Sequence, residues 1–185
     1  HLVADKAVLG PSSARFEFAM TLERCGMSQA IEVDLKEIVL SNNSFGPHEI
    51  RQLSLTIAED YSQFQLLRDA VAELESREDR SPAAAVRLGV CLYLLGRYER
   101  AVNALNQADG GAVAQFYLGK SHFSLEQFPT AIECFNAAKV AGYDADTCSL
   151  SVSESLRYTG QIDDAMKSLD EMFGPVEQTA EYLYQ

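Results

Sequence analysis

Gly119-Lys120-Ser121 has the residue types that close a phosphate-binding loop, where backbone N–H groups surround a phosphate and the lysine neutralises it. The first glycine of such a loop would stand at 114, but that residue is Ala114, and Gln115-Phe116-Tyr117-Leu118 between them are bulky helix formers. The stretch therefore reads as part of a helix. Asp144-Ala145-Asp146 opens like a calcium loop, yet the glycine and closing glutamate of the twelve-residue geometry are missing. Asp146 is read instead as the N-cap of a helix. His48 and His122 have no histidine or cysteine at the i+3 or i+4 spacing of a metal pair, and no G-x-S-x-G elbow occurs. His122 is expected to be a partly buried structural residue. Cys25, Cys91, Cys134 and Cys148 form no C-x-x-C pair. Cys91 and Cys134 lie in apolar stretches, where thiols act as small hydrophobes, a usage that fits a reducing compartment. Asp163-Asp164 and Asp170-Glu171 are adjacent, so a helix turns them to different sides rather than converging them for acid–base work. No catalytic residue, metal ligand or cofactor is nominated, and no enzyme activity is expected.

The balance of charge narrows the partners. Acidic residues outnumber basic ones 27 to 15, a net charge of −12, and the excess is spread along the chain. Such a surface repels phosphate backbones and anionic headgroups, so nucleic acid is not an expected partner. The apolar runs, such as Leu88 to Gly96, are far shorter than the roughly 20 residues that cross a bilayer, so membrane insertion is not expected either.

What must position any binding residues is a repeat. Ala101, Ala131 and Ala165 mark its phase, at spacings of 30 and 34. Twelve residues upstream of each stand Gly89, Gly119 and Ser153; four downstream stand Leu105, Phe135 and Leu169; seven downstream stand Ala108, Ala138 and Met172. Small residues on two antiparallel helices let them approach, and the large apolar residue fills the remaining groove. Gly96 and Gly160, five residues before their alanines, suit the left-handed cap that ends a first helix. Glu126 holds the same place, and since a side chain disfavours that conformation, Pro129 is expected to define the turn there instead. Ser81-Pro82 reads as an N-cap followed by proline at the first helical position.

This pattern resembles the tetratricopeptide repeat, a 34-residue helix-turn-helix unit with small residues at its eighth, twentieth and twenty-seventh positions and a large apolar one at its twenty-fourth. The resemblance covers residues 82–179 as three units, 82–111, 112–145 and 146–179, the first shortened at Asp109-Gly110-Gly111. Residues 47–81 are similar to a degenerate unit, with Ala58, Ala70 and Leu74 at the matching offsets. Residues 1–46 are expected to hold a divergent helical hairpin around Cys25-Gly26, followed by a loop at 41–47 that contains the sequon Asn42-Asn43-Ser44. Val176 to Gln185, including 180–185 beyond the third unit, is expected to start a further helix in a chain that continues. The fold implied is all-α, a right-handed superhelical solenoid of antiparallel helix pairs.

The family resemblance implies a concave groove lined by the first helix of each unit. On this sequence the family's groove positions fall on Val86, Val90, Tyr93 and Leu94, then Phe116, Lys120 and Phe123, then Leu150, Glu154, Arg157 and Tyr158. Most are apolar or aromatic, and only Lys120 is of the kind that grips a peptide carboxylate. The resemblance therefore implies a protein-interaction module, an adaptor or scaffold, binding another protein or peptide in a largely apolar groove. A substrate-holding chaperone resembling those of bacterial secretion is the alternative, and self-association is left open. Truncating Phe116 or Phe123 is expected to weaken binding with little loss of stability.

Overall fold

The computed structural model describes residues 34–41, 43–77, 81–170 and 172, all within the compact unit that runs from Asp34 to Gln185. The hairpin expected around Cys25, the sequon asparagine and the helix expected from Val176 lie outside the described residues. Every described element is a helix: α1 (Leu35–Leu40), α2 (Pro47–Glu59), α3 (Ser62–Ser76), α4 (Pro82–Leu94), α5 (Tyr98–Leu105), α6 (Ala112–Ser124), α7 (Phe128–Val140), α8 (Ala145–Tyr158) and α9 (Ile162–Asp170). From α4 onward each helix packs on the next, and α4 also touches α6, so the chain is a tetratricopeptide-like solenoid of stacked helix pairs.

Small residues and large ones lock each pair together. A Cβ on Gly89 would lie 2.4 Å from Leu105 Cγ, and one on Gly119 would lie 2.7 Å from the Phe135 ring. Those contacts are closer than any side chain permits, so the glycines are what let α4 reach α5 and α6 reach α7. Ala101, Ala131 and Ala138 are fully buried on the facing helices. In the α8–α9 pair Ser153 stands in place of glycine and the smaller Leu169 in place of phenylalanine, and both are buried.

Hydrogen bonds set the helix ends. Ser81 Oγ accepts from Ala84 N at 3.3 Å, with Pro82 in the first turn as the sequence predicts. α8 starts differently from the expectation. Asp144, not Asp146, is its N-cap, with Oδ1 accepting from Thr147 N at 2.8 Å. Asp146 instead lies in the first turn, where its charge suits the helix dipole.

The turn at Glu126 also departs from the expectation. Its φ is 60°, in the same left-handed region as Gly96 at 72° and Gly160 at 78°. The backbone explains why. Arg97 N donates to Leu92 O, Gln127 N to His122 O and Gln161 N to Leu156 O, each at 2.9 Å, so one hydrogen-bonded cap closes all three first helices whatever residue stands in it. Pro129 sits within the first turn of α7 but does not replace that cap. Left-handed backbone is unfavourable by about 1–2 kcal/mol for a residue with a side chain. After the extra chain entropy of glycine is subtracted, Glu126→Gly is expected to stabilise the fold by about 0.5–1 kcal/mol. Chemical denaturation would show it, and a lower midpoint would mean that the Glu126 side chain contributes more than its backbone loses.

The N-terminal part is built another way. α1 packs against α3, placing Leu35 and Val39 in a core with Leu67, Ala70, Val71 and Leu74. Ala58 is exposed, so the small-residue contact expected at that offset is not made here. The α2–α3 turn is short: Asp60 accepts from Ser62 N at 2.8 Å, which starts α3 two residues later. The 41–45 segment is fastened from outside. Arg87, on α4 and only 6% exposed, donates to the carbonyls of Ser41 and Asn43 and lies over the Phe45 ring at 5.1 Å. Arg77 Nη1 donates to Leu40 O at 3.2 Å.

Candidate peptide-binding surface

The first helices of the pairs, α4, α6 and α8, carry the residues proposed for a groove, and their burial separates those residues into two groups. Val90 is 0% exposed and Phe116 is 6% exposed. Both belong to the core and not to a surface, which corrects the expectation for these two. Val90 lies on the helix that packs against α3, α5 and α6 together. Phe116 is enclosed by Phe135 beneath it and by Tyr143, whose ring stacks on it at 4.1 Å and 8°. Phe116→Ala would therefore cost stability as well as any binding.

The other nine remain accessible to different degrees. Val86, Tyr93, Leu94, Lys120, Phe123, Leu150 and Glu154 are half-buried, while Arg157 and Tyr158 are exposed. Their rings form a row of one per first helix, at the twelfth or thirteenth residue of each expected unit. Tyr93 meets Tyr117 edge-on at 5.4 Å, and Phe123 meets Tyr158 edge-on at 5.4 Å. Aromatic edges and faces attract through their quadrupoles, so these contacts connect neighbouring pairs. Arg157 places its guanidinium 4.9 Å from the Tyr158 ring centre.

Two contributors escaped the sequence reading. Tyr98 and Phe128 open the second helices and pack on Tyr93 and Phe123 at 5.7 and 5.4 Å. Phe128 also stacks on Tyr158 at 5.1 Å and 9°. The signal was present as an aromatic residue five places after an aromatic one, across each turn at 93/98 and 123/128.

At the Val86 end of α4 lies a cleft of about 420 Å³, between Phe45, Val86 and Val113. Further along, polar groups meet the aromatic row. Burial raises the Tyr93 hydroxyl above the usual tyrosine range; Tyr98 and Glu154 raise it further, while a hydrogen bond with Ser124 opposes them. Tyr93 is on α4 and Glu154 on α8, the first helices of alternate pairs.

No group of three or more potential metal ligands occurs among the described residues. Gly119-Lys120-Ser121 lies inside α6 and forms no loop. His122 Nδ1 shares a 2.6 Å hydrogen bond with Gln127 Oε1 across the turn, a structural role. No described helix is long and apolar enough to cross a membrane.

Cys91, Cys134 and Cys148 are free and buried. Burial pushes the Cys91 thiol from 9.0 to about 12, that of Cys148 from 9.0 to about 11, and the Tyr143 hydroxyl from 10.0 to about 12. These are acids with raised folded-state pKa values, so above pH 9 the unfolded chain releases its protons first. Stability is expected to hold below that pH and to fall as pH rises from 9 toward about 12, less steeply in Cys91→Ala. Urea melts across that range would check it; equal slopes in both proteins would remove Cys91 from the account.

Comparison with known proteins agrees with the helix-pair geometry. The tetratricopeptide repeat family model matches residues 83–108, which span most of α4 and all of α5. The crystal structure of MamA superposes with a TM-score of 0.54 at 20% identity, covering 66% of this chain and 83% of that one. A further structure, MamA MSR-1 C2, gives a TM-score of 0.50 at 21% identity, covering 86% of each. At those identities the likeness is one of fold. None of the curated proteins matches the sequence.

Proposed function

We propose, from the premise that this chain carries a tetratricopeptide repeat and folds as a solenoid of such pairs, that it is a non-catalytic binding module. It holds a polypeptide segment along the exposed side of α4, α6 and α8, and so joins proteins as an adaptor or scaffold. The carrying observation is the aromatic row of Tyr93, Phe123 and Tyr158, one ring from each first helix, each set against a neighbouring ring, with Tyr93 and Phe123 half-buried and Tyr158 exposed. Rings held in this way bury apolar surface on binding without losing much rotamer freedom. In this reading 82–111, 112–145 and 146–179 act as three repeats that each supply one strip of groove.

The double substitution Phe123→Ala, Tyr158→Ala is expected to weaken capture of the partner by more than about tenfold. Tyr158 is 55% exposed, so its removal alone is expected to change the melting temperature little. Affinity capture from the source cells, compared between the wild-type and doubly substituted proteins, checks this. The reading fails if both retain the same proteins in the same amounts.

A holding chaperone is the second reading. Tyr158, Ile162 and Met166 leave three large apolar side chains exposed at the α8–α9 end, inside an acidic shell of net charge −12. Suppression of aggregation of a heat-denatured test protein at equimolar ratio would favour it over the adaptor.

A further inference from the structure

Lys120 and Glu154 occupy the same place in two successive first helices, each the ninth residue of its repeat. Both are half-buried. Lys120 lies three residues before Phe123 and Glu154 four before Tyr158, so each charge shares a helix face with a ring of the aromatic row. The Phe123 and Tyr158 rings meet edge-on at 5.4 Å, which sets the two helix faces that carry these charges side by side. The two charges thus border one stretch of groove. Among the described residues neither forms an ion pair or a side-chain hydrogen bond.

A ligand that covers a half-buried, unpaired charge with apolar atoms strips its water and returns nothing. Opposite charges on the ligand remove that penalty, and a wrong charge adds repulsion, which is how a groove of this kind discriminates. We propose that the groove selects an extended peptide with an acidic residue facing Lys120 and a basic residue facing Glu154, beside an apolar residue on Phe123 and Tyr158. Directly packed helices lie roughly 8–10 Å apart, α6 and α8 meet through the Phe123 and Tyr158 rings, and an extended chain advances about 3.3 Å per residue, so the two charged residues stand at least about three positions apart. The proposal rests on the groove reading above and adds its charge code.

A library of random peptides displayed on phage, selected against the full chain, tests it. The wild-type protein is expected to enrich peptides with one acidic and one basic residue at least about three apart. Lys120→Glu is expected to enrich peptides with two basic residues, and Glu154→Lys peptides with two acidic ones, whichever way the peptide runs. A synthetic wild-type-selected peptide should bind each single variant about five- to tenfold more weakly. Selection of the same peptides by all three proteins overturns the charge code. If instead the selected peptides bind Phe123→Ala, Tyr158→Ala as tightly as wild type, or no peptide is enriched, the groove reading itself falls.

Discussion

Phe135→Ala is expected to lower the unfolding free energy by about 3–5 kcal/mol, the usual range for deleting a buried aromatic ring. Phe135 is among the largest fully buried side chains, and it touches both Gly119 across the α6–α7 pair and the Phe116 ring. Removing it leaves a cavity that those rigid neighbours cannot collapse into. The complementary change, Gly119→Ala, places a methyl 2.7 Å from the ring and is expected to cost about 1–3 kcal/mol by overpacking, despite alanine's better helix propensity. Combining Gly119→Ala with Phe135→Leu should recover part of that loss, because the α8–α9 pair already uses the smaller leucine opposite a residue that has a Cβ. Urea melts of the single and double variants would measure the coupling. Strictly additive losses would mean that the two residues do not share one contact.

Arg87→Ala is expected to cost about 2–3 kcal/mol, and to expose residues 41–45 to proteolysis. Arg87 donates to two carbonyls in that segment, and hydrogen bonds from a charged donor contribute about 1.5–3 kcal/mol each. Desolvation subtracts from this: burial lowers the Arg87 pKa, and its Nε has no hydrogen-bond partner. Arg87→Lys should not restore the wild-type stability, since one ammonium cannot reproduce a planar fork that spans two carbonyls and lies over Phe45. Limited proteolysis with mass mapping checks the release of the segment. A variant as stable and as resistant as wild type would show that α1 alone holds this segment down.

The phase of the helix pairs was legible because it rests on residue types that few other arrangements need. Gly89 with Leu105 and Gly119 with Phe135 mark close approaches directly, and Gly96 and Gly160 mark the turns. The cap at Glu126 was not legible, since backbone hydrogen bonds at both ends of the turn decide its conformation, and glutamate carries no sign of them. Ala58 has the right offset and the wrong environment, because α1 takes the side of α3 that a regular first helix would fill. Positions taken from the family pattern assigned the candidate groove to the first helices, α4, α6 and α8. They did not foresee that Tyr143, from the link after α7, would close over Phe116. No pattern in the sequence marks Arg87, and only the path of the 41–45 segment makes it an internal fastening.

The two kinds of junction in the array also differ mechanically. Within a pair, Gly89 against Leu105 and Gly119 against Phe135 leave no slack, so each pair moves as a stiff plate. Between pairs, Tyr93 with Tyr117 and Phe123 with Tyr158 meet edge to face, and Phe128 stacks on Tyr158. The array is thus tied along its length by two different couplings, close backbone approach within a pair and ring contact from one first helix to the next.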